Sequence, residues 1–236
     1  MAALLFLLFT VIAHVLANTE KTIFLGPDPS ASSVSEELST LHLDILNPDN
    51  WSLRTRLRAE FPSPELPQGA ATWFILDGLT PGQRYEVRVC WPATQPTAFT
   101  LKTYTPSTVY SNPALLSSLQ DYYSASRQPS TTTTPKHDSR SSTLLLQILA
   151  SADFYTTNTT LMISPPPVDT DVILDPYLAN VLPRSLAGTA VYLVVVGALA
   201  YLGLARGARW VISELVRSSS QGHGEEEDDG RRKKVQ

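Results

Sequence analysis

The 236-residue chain is poor in the residues that build disulfides, metal sites and catalytic centres. Its single cysteine, Cys90, allows no disulfide within the chain, so stability must come from a hydrophobic core or from a partner. No G-x-S-x-G, Walker or zinc-ligand spacing occurs. The net charge of −4 gives no indication of nucleic-acid binding. Four histidines are scattered along the chain: His14, His42, His137 and His223. Together these absences argue against an enzyme.

Two short features resemble chemical sites. Asp169-Thr170-Asp171 has the D-x-D form with which some sugar-nucleotide transferases hold a metal. It follows three prolines without a βαβ pattern to present a nucleotide, so we interpret it as a solvated loop. We interpret Cys90 as an ordinary strand residue; the alternative is a mixed disulfide with a partner. The sequence therefore predicts no catalytic residue, cofactor or metal site.

The N-terminal segment is typical of a secretory signal peptide. Residues 4–11 are apolar except for Thr10, a run long enough for an h-region and too short to span a bilayer. Val15 and Ala17 stand where signal peptidase reads small residues. We predict cleavage after Ala17, with residues 1–17 as the signal peptide. A signal anchor is the alternative, against which the short run argues.

A second hydrophobic segment predicts a transmembrane helix. Residues 185–205 carry no charge over 21 positions, and such a helix is about 31 Å long, which matches the hydrocarbon core of a bilayer. One arginine precedes the segment and three follow it: Arg184, then Arg206, Arg209 and Arg217. This bias predicts a single-pass type I protein, with residues 18–184 in the lumen and a cytosolic tail over residues 206–236.

Two lysines near the C-terminal end predict the compartment. Lys233 and Lys234 stand fourth and third from the carboxyl end and resemble the dilysine signal that returns membrane proteins to the endoplasmic reticulum. Coat proteins would be the cytosolic partners that read such a signal. An ordinary basic tail, in water or on anionic lipid, is the alternative. We therefore expect a protein of the endoplasmic-reticulum membrane.

Two sequons are consistent with a lumenal position. They are Asn50-Trp51-Ser52 and Asn158-Thr159-Thr160, and either asparagine is a candidate glycosylation site. We favour Asn158, because it lies in a polar, turn-like stretch, whereas Trp51 is a candidate for packing.

The lumenal part has the alternating pattern of β-strands and no sustained helical period. The strand-like segments are residues 22–25, 41–46, 51–61, 71–76, 84–91 and 98–104.

Residues 79–89 give the most specific indication of the fold. Leu-Thr-Pro-Gly-Gln-Arg-Tyr-Glu-Val-Arg-Val resembles the fibronectin type III pattern with its tyrosine corner, in which the Tyr85 hydroxyl bonds to the backbone a few residues upstream. Side chains alternate between the two faces of a strand. Those predicted to point inward are Tyr85, Val87, Val89 and Trp91, and those predicted to point outward are Glu86, Arg88 and Cys90. We predict a mainly β protein, with a fibronectin type III-like β-sandwich over residues 18–105 and one C-terminal transmembrane helix. A generic hairpin is the alternative.

The chain changes character after this segment. Residues 106–143 contain a Ser/Thr/Pro-rich stretch, and we predict a disordered insertion there. Residues 144–184 are predicted to hold additional strands and a juxtamembrane segment. The strands, residues 144–149 and 160–163, would form an apolar hairpin that either joins the sandwich or packs against another protein.

The complete arrangement resembles a known family. A signal peptide ending before Asn18, the extended segment over residues 22–27, a β-rich lumenal region, one C-terminal span and a retrieval tail look like the fungal accessory subunit of GPI mannosyltransferase II. The resemblance implies a subunit without chemistry of its own. Its partner would be the multi-span enzyme of the endoplasmic-reticulum membrane that adds the second mannose to the GPI precursor.

Other function classes share parts of this arrangement. A cargo or quality-control receptor could recycle through the same dilysine tail, and a subunit of another endoplasmic-reticulum membrane complex could have the same topology. A receptor should carry a binding groove or lectin-like site, which the sequence does not indicate. An assembly subunit should have a span suited to helix packing, as Gly203-x-x-x-Gly207 indicates.

Overall fold

The computed structural model describes residues 18–28, 43–125 and 142–232, with side chains described up to residue 217. These residues belong to two compact units, one ending at Arg184 and the other beginning at Ser185. The first unit is a β-sandwich with three short helices, and the second is one long helix. The predicted signal peptide, residues 1–17, lies outside the described residues.

Five strands form the first sheet of the sandwich. Its order is β1-β5-β8-β3, and the short strand β9 also pairs with β8. All of its pairings are antiparallel. The strands are β1 (Thr19–Leu25), β3 (Ser52–Leu57), β5 (Arg84–Cys90), β8 (Val168–Leu178) and β9 (Leu182–Pro183).

Four strands form the second sheet, in the order β2-β4-β7-β6. The two-residue strand β2 runs parallel to β4, and the other pairings are antiparallel. The strands are β2 (Ile45–Leu46), β4 (Ala70–Leu79), β6 (Thr97–Tyr104) and β7 (Ser142–Ala152).

The main core lies between the two sheets and is built by alternate residues of their strands. Tyr85, Val87 and Val89 of β5 contribute to it, as predicted from their period of two, and Trp91 packs against it. Trp91 meets Phe99 of the opposite sheet edge to face, with ring centres 4.6 Å apart. Burial of these alternating apolar side chains is the main force that joins the sheets. The mainly β fold and the two-sheet architecture are confirmed.

The strand order differs from that of immunoglobulin-type sandwiches. There, the strand that follows the tyrosine-corner strand lies in the same sheet. Here β6, which follows β5, lies in the other sheet and pairs with β7. The fibronectin type III detail therefore stays a prediction.

Residues 106–125 correct the prediction of one disordered insertion over residues 106–143. They form helices α1 (Pro106–Ser111) and α2 (Pro113–Ala125). Thr105 caps α1, whose first residue is a proline, and the side chain of Asn112 accepts a hydrogen bond from the Ala114 N–H, 3.0 Å away, at the start of α2. These start signals lie before the Ser/Thr-rich stretch, which is outside the described residues from residue 126.

The two helices cover the face of the second sheet that is turned away from the main core. Val109 of α1 and Leu119 of α2 are buried there against Trp73 and Leu145. Ser118 of α2 accepts hydrogen bonds from the Trp73 indole N–H and from the Gln147 amide, each 3.3 Å long. The helices thus form a second, smaller core and satisfy polar groups that the sheet would otherwise bury without partners.

The apolar segment after residue 143 joins the sandwich as β7, an interior strand of the second sheet. Its leucines alternate between the two cores, with Leu144 and Leu146 in the main core and Leu145 under the helices. Burial on both faces explains why the segment is continuously apolar rather than alternating. The predicted second strand, residues 160–163, is wrong: it belongs to a short helix, α3 (Thr159–Ile163), capped by Asn158.

Tyr85 connects the turn between β4 and β5 to the main core. Its ring is 1% exposed. Its hydroxyl accepts a hydrogen bond from the Thr80 N–H and donates one to Gln83 Oε1, both 2.9 Å long. The hydroxyl therefore has both kinds of partner five and two residues upstream in the chain.

We expect Tyr85→Phe to lower the free energy of unfolding by about 1–3 kcal/mol, because the buried ring is kept while the Thr80 N–H loses its partner. Thermal unfolding of the purified full chain in detergent would measure the loss. Tyr123→Phe is the matched control, since Tyr123 is 38% exposed and should tolerate the same change. Equal melting temperatures for the two variants would contradict a structural role for the Tyr85 hydroxyl.

The second unit is helix α4 (Ala187–Arg232), preceded by a 3₁₀ turn (Arg184–Leu186). Arg184–Arg217 is long and apolar enough to cross a membrane, judged by length and composition. It includes the predicted span over residues 185–205. The helical backbone continues into residues predicted to form a cytosolic tail.

Candidate interaction surfaces

The outer face of the five-stranded sheet, turned away from the main core, carries a ladder of ion pairs at its β3 edge. Arg54 binds both carboxylate oxygens of Asp171, at 2.8 and 2.9 Å, and Arg56 lies 3.0 Å from Asp169. Each arginine is directly opposite its partner in the β3–β8 register. The hydrogen bond from Arg54, aided by its charge, holds the pKa of Asp171 below its ordinary value.

This geometry corrects the interpretation of Asp169-Thr170-Asp171 as a loop. The three residues lie within β8, and the two carboxylates project on the same face, because their spacing matches the strand period. Each carboxylate is paired with an arginine of the neighbouring strand. This arrangement is typical of ion pairs between strands of a sheet rather than of a metal site. Among the residues that the structure describes, no group of three metal-ligating side chains occurs.

Two buried acids lie on the same outer face, nearer to β1. Glu86 and Asp175 stand opposite each other and are 3% and 4% exposed. Like charges in that arrangement repel, and Arg88 lies near both, 3.6 Å from Glu86 and 3.9 Å from Asp175. Lys21 contacts Glu86 at 3.1 Å, and the Tyr177 hydroxyl donates to it at 3.3 Å. This network of ion pairs and hydrogen bonds joins β1, β5 and β8. The sequence predicted only that Glu86 points outward.

Cys90 is half-buried on that face with a free thiol. The Thr19 hydroxyl donates a hydrogen bond to its sulfur over 3.6 Å. A strand residue of this kind agrees with the ordinary role expected from the sequence. The mixed disulfide stays a prediction.

Both predicted glycosylation sites are exposed in the described structure. Asn158 Oδ1 accepts a hydrogen bond from the Thr160 N–H over 3.0 Å and so caps α3. A glycan would be linked through the amide nitrogen, which leaves that oxygen free to keep the cap. Trp51, beside Asn50, is 49% exposed and contributes less to packing than the sequence suggested. Glycosylation of either asparagine stays a prediction.

A cleft of about 320 Å³ opens at the end of the sandwich where β8 begins. Phe154, Leu161 and Val168 contribute apolar surface, with two prolines, Pro165 and Pro166. None of its lining residues is acidic, basic, histidine or cysteine. A cleft of this chemistry can hold an apolar group, but its lining has no acidic or basic side chain for proton transfer and none to activate its threonine hydroxyls.

The opposite end of the sandwich carries a rigid turn that sequence reasoning missed. In the β8–β9 turn, residues 178–181, Ala179 and Asn180 have φ values of 50° and 58°, and the Val181 N–H donates to Leu178 O over 3.1 Å. Two successive positive φ values with this hydrogen bond are typical of a type I′ turn, which here lies in the three-residue loop between the paired Leu178 and Leu182. Asn180, a residue that tolerates this conformation, was the available signal.

The side chain of Asn180 fixes this turn to the neighbouring one. Its carbonyl oxygen accepts from the Arg84 N–H at 2.8 Å, and its amide donates to Gly82 O at 3.0 Å. Gln83 adds a hydrogen bond to Tyr177 O over 3.2 Å. Leu178 and Val181 remain exposed beside these contacts.

Fold and surfaces together define a β-sandwich protein in which the described residues include one helix of membrane-spanning length, and whose surface features suit contacts with other molecules. A comparison with protein-family models agrees with this class and identifies the family. The chain matches, over residues 8–202, the model of the Pga1 family, described as GPI-mannosyltransferase II co-activator, and it belongs to that family. No curated protein and no solved structure matches it.

The family match confirms the resemblance to the accessory subunit of GPI mannosyltransferase II. It covers the described sandwich and the first part of α4. A co-activator assists an enzyme rather than performing its reaction, which agrees with the expectation of a protein without chemistry of its own. Lys233 and Lys234 lie outside the described residues.

Proposed function

We propose that this chain is a non-catalytic subunit of an endoplasmic-reticulum membrane complex and supports the multi-span mannosyltransferase that adds the second mannose to the GPI precursor. The observation that carries the proposal is the match to the co-activator family over residues 8–202. The partner supplies the chemistry, and this chain supplies binding that stabilises or activates it.

Two features of the described residues support a binding role. The carboxylates of the D-x-D sequence are paired with arginines, and the cleft beside α3 is lined by uncharged side chains. Of the two roles predicted for the apolar segment after residue 143, β7 is not available to pack against another protein, because its side chains fill the two cores of the sandwich. Docking must therefore use other surfaces.

The proposed location is the endoplasmic-reticulum membrane, with the sandwich in the lumen. Support comes from the family's role in GPI biosynthesis and from the span-length segment Arg184–Arg217. Orientation follows from the excess of arginine after residue 205. Retrieval through Lys233 and Lys234, read by coat proteins, is part of the same proposal.

Loss of the chain should cause a GPI precursor with a single mannose to accumulate. The measurement is lipid extraction and chromatography of radiolabelled GPI intermediates from a strain lacking the chain, with and without the full-length protein restored. Normal intermediates in the deletion strain would overturn the mannosyltransferase proposal. Affinity purification in mild detergent, with mass spectrometry, identifies the partner; recovery of secretory cargo without a multi-span glycosyltransferase would favour a receptor instead.

We expect the double variant Asp169→Ala, Asp171→Ala to restore normal GPI intermediates in the deletion strain. The two carboxylates only pair with exposed arginines, and exposed ion pairs contribute little to stability. Arg54→Ala with Arg56→Ala is the matched control, since it removes the other half of the same pairs. Loss of activity in the aspartate variant alone, at normal protein level and assembly, would reopen the enzyme interpretation.

A further inference from the structure

The β8–β9 turn, residues 178–181, presents apolar side chains that the sandwich does not use. Val181 is 78% exposed and Leu178 46% exposed. The turn is not a loose loop, because Asn180 binds the backbone of both Gly82 and Arg84. Its apolar side chains are thus held in the solvent-accessible position by hydrogen bonds, which points to a partner for them.

The surroundings of the turn combine apolar, aromatic and basic groups. The Arg84 guanidinium lies 5.8 Å from the centre of the Tyr177 ring. Leu25, which is 57% exposed, stands opposite Arg84 in the β1–β5 register. Exposed leucine beside exposed arginine is typical of surfaces that meet the boundary between lipid headgroups and acyl chains, while the Tyr177 ring is buried beneath Arg84.

Chain connectivity limits how far the turn can be from a bilayer. Val181 precedes Arg184, the first residue of the span-length segment, by three residues. Three residues reach at most about 11 Å even when fully extended. The headgroup layer on each side of a bilayer is about 5–7 Å thick. If Arg184 lies at the start of the span, Val181 is within reach of that layer.

We propose that Leu178 and Val181 insert into the headgroup boundary of the bilayer and form a second, non-spanning membrane contact. The occupant of this surface is phospholipid. The inference rests on the proposed membrane span.

Collision measurements on a spin label test this contact in the full chain. Cys90→Ser removes the only native thiol, and Val181→Cys then places one label at the tip of the turn. Tyr155→Cys in the same background is the matched control, since Tyr155 is 86% exposed and belongs to the loop that follows β7, at the cleft end of the sandwich. Both proteins are reconstituted without the enzyme in phosphatidylcholine vesicles.

The label at position 181 should collide more often with dissolved oxygen than with a water-soluble nickel chelate, and the label at position 155 should do the reverse. Equal, nickel-favouring accessibility at both positions would overturn the proposal. Shielding of position 181 from both reagents would also overturn it, since that result means contact with protein. Restoration of normal GPI intermediates by the 181 variant in the deletion strain would show that the proposed function stands even where the lipid contact fails.

Discussion

Gly26→Ala is expected to lower the free energy of unfolding by at least about 3 kcal/mol, because the new methyl group collides with the backbone. A Cβ at this position would lie 2.1 Å from the carbonyl oxygen of Thr80. The backbone there cannot easily retreat, since Gly26 N–H donates to Gln83 O and Gly26 O accepts from Gly82 N–H, both at 2.8 Å. For a unit of this size the melting temperature should fall by about 6–12 °C.

Gly82→Ala is the matched control for this prediction. Gly82 lies in the β4–β5 turn that Gly26 contacts and has a φ of 71°, but its added Cβ would meet no atom within 4 Å. Only the left-handed conformation is then penalised, by about 1–2 kcal/mol. Thermal unfolding of both full-length variants compares the two losses of stability. It distinguishes the effect of the close contact with Thr80 from the effect of the left-handed backbone conformation. Equal losses would show that contact with Thr80 is not what requires glycine at position 26.

Leu119→Ala should cost about 2–5 kcal/mol of unfolding free energy, since it leaves a cavity in the smaller core. Leu119 is 2% exposed and packs with Trp73, Leu145 and Val109 beneath helix α2. The variant therefore tests whether residues 106–125 are part of the folded unit. Chemical unfolding of the full chain, followed by tryptophan fluorescence, measures the loss, and Trp73 is one of the four tryptophans that contribute to the signal.

Leu116→Ala provides the comparison on the same helix. Leu116 is half-buried and does not belong to the cluster around Trp73. The decrease in unfolding free energy for Leu116→Ala should be clearly smaller than for Leu119→Ala, because the half-buried Leu116 side chain removes less apolar surface from water. Equal, small effects at both positions would mean that α2 contributes little to the stability of the sandwich.

Local patterns were sufficient for most strands. Segments 71–76, 84–91 and 98–104 correspond to β4, β5 and β6, which differ from them by at most three residues at either end. Alternation at period two is created by burial of one face, so it can be read without knowing the partner strand. The segment over residues 51–61 was predicted too long, since β3 ends at Leu57.

Features that depend on a partner strand or helix could not be predicted from local sequence patterns. Residues 106–125 were grouped with the Ser/Thr/Pro-rich stretch that follows them, although they include Val109, Leu115, Leu116 and Leu119. Their helices become stable by covering Trp73 and Leu145. Asp169 and Asp171 follow three prolines and read as a loop, yet they pair with Arg54 and Arg56 more than 100 positions away in the chain. No local pattern contains that pairing.

The membrane-length helix, the alternating strands, the turn around Tyr85 and the family were all predictable without the structure. Each depends on residues that are close together in the chain or on its overall pattern. The folded arrangement was needed to show which strands are neighbours, which acids are paired with arginines, and that β7 is a core strand. The physical reason is that burial and charge pairing join residues far apart in sequence, and they become defined only when the two sheets pack.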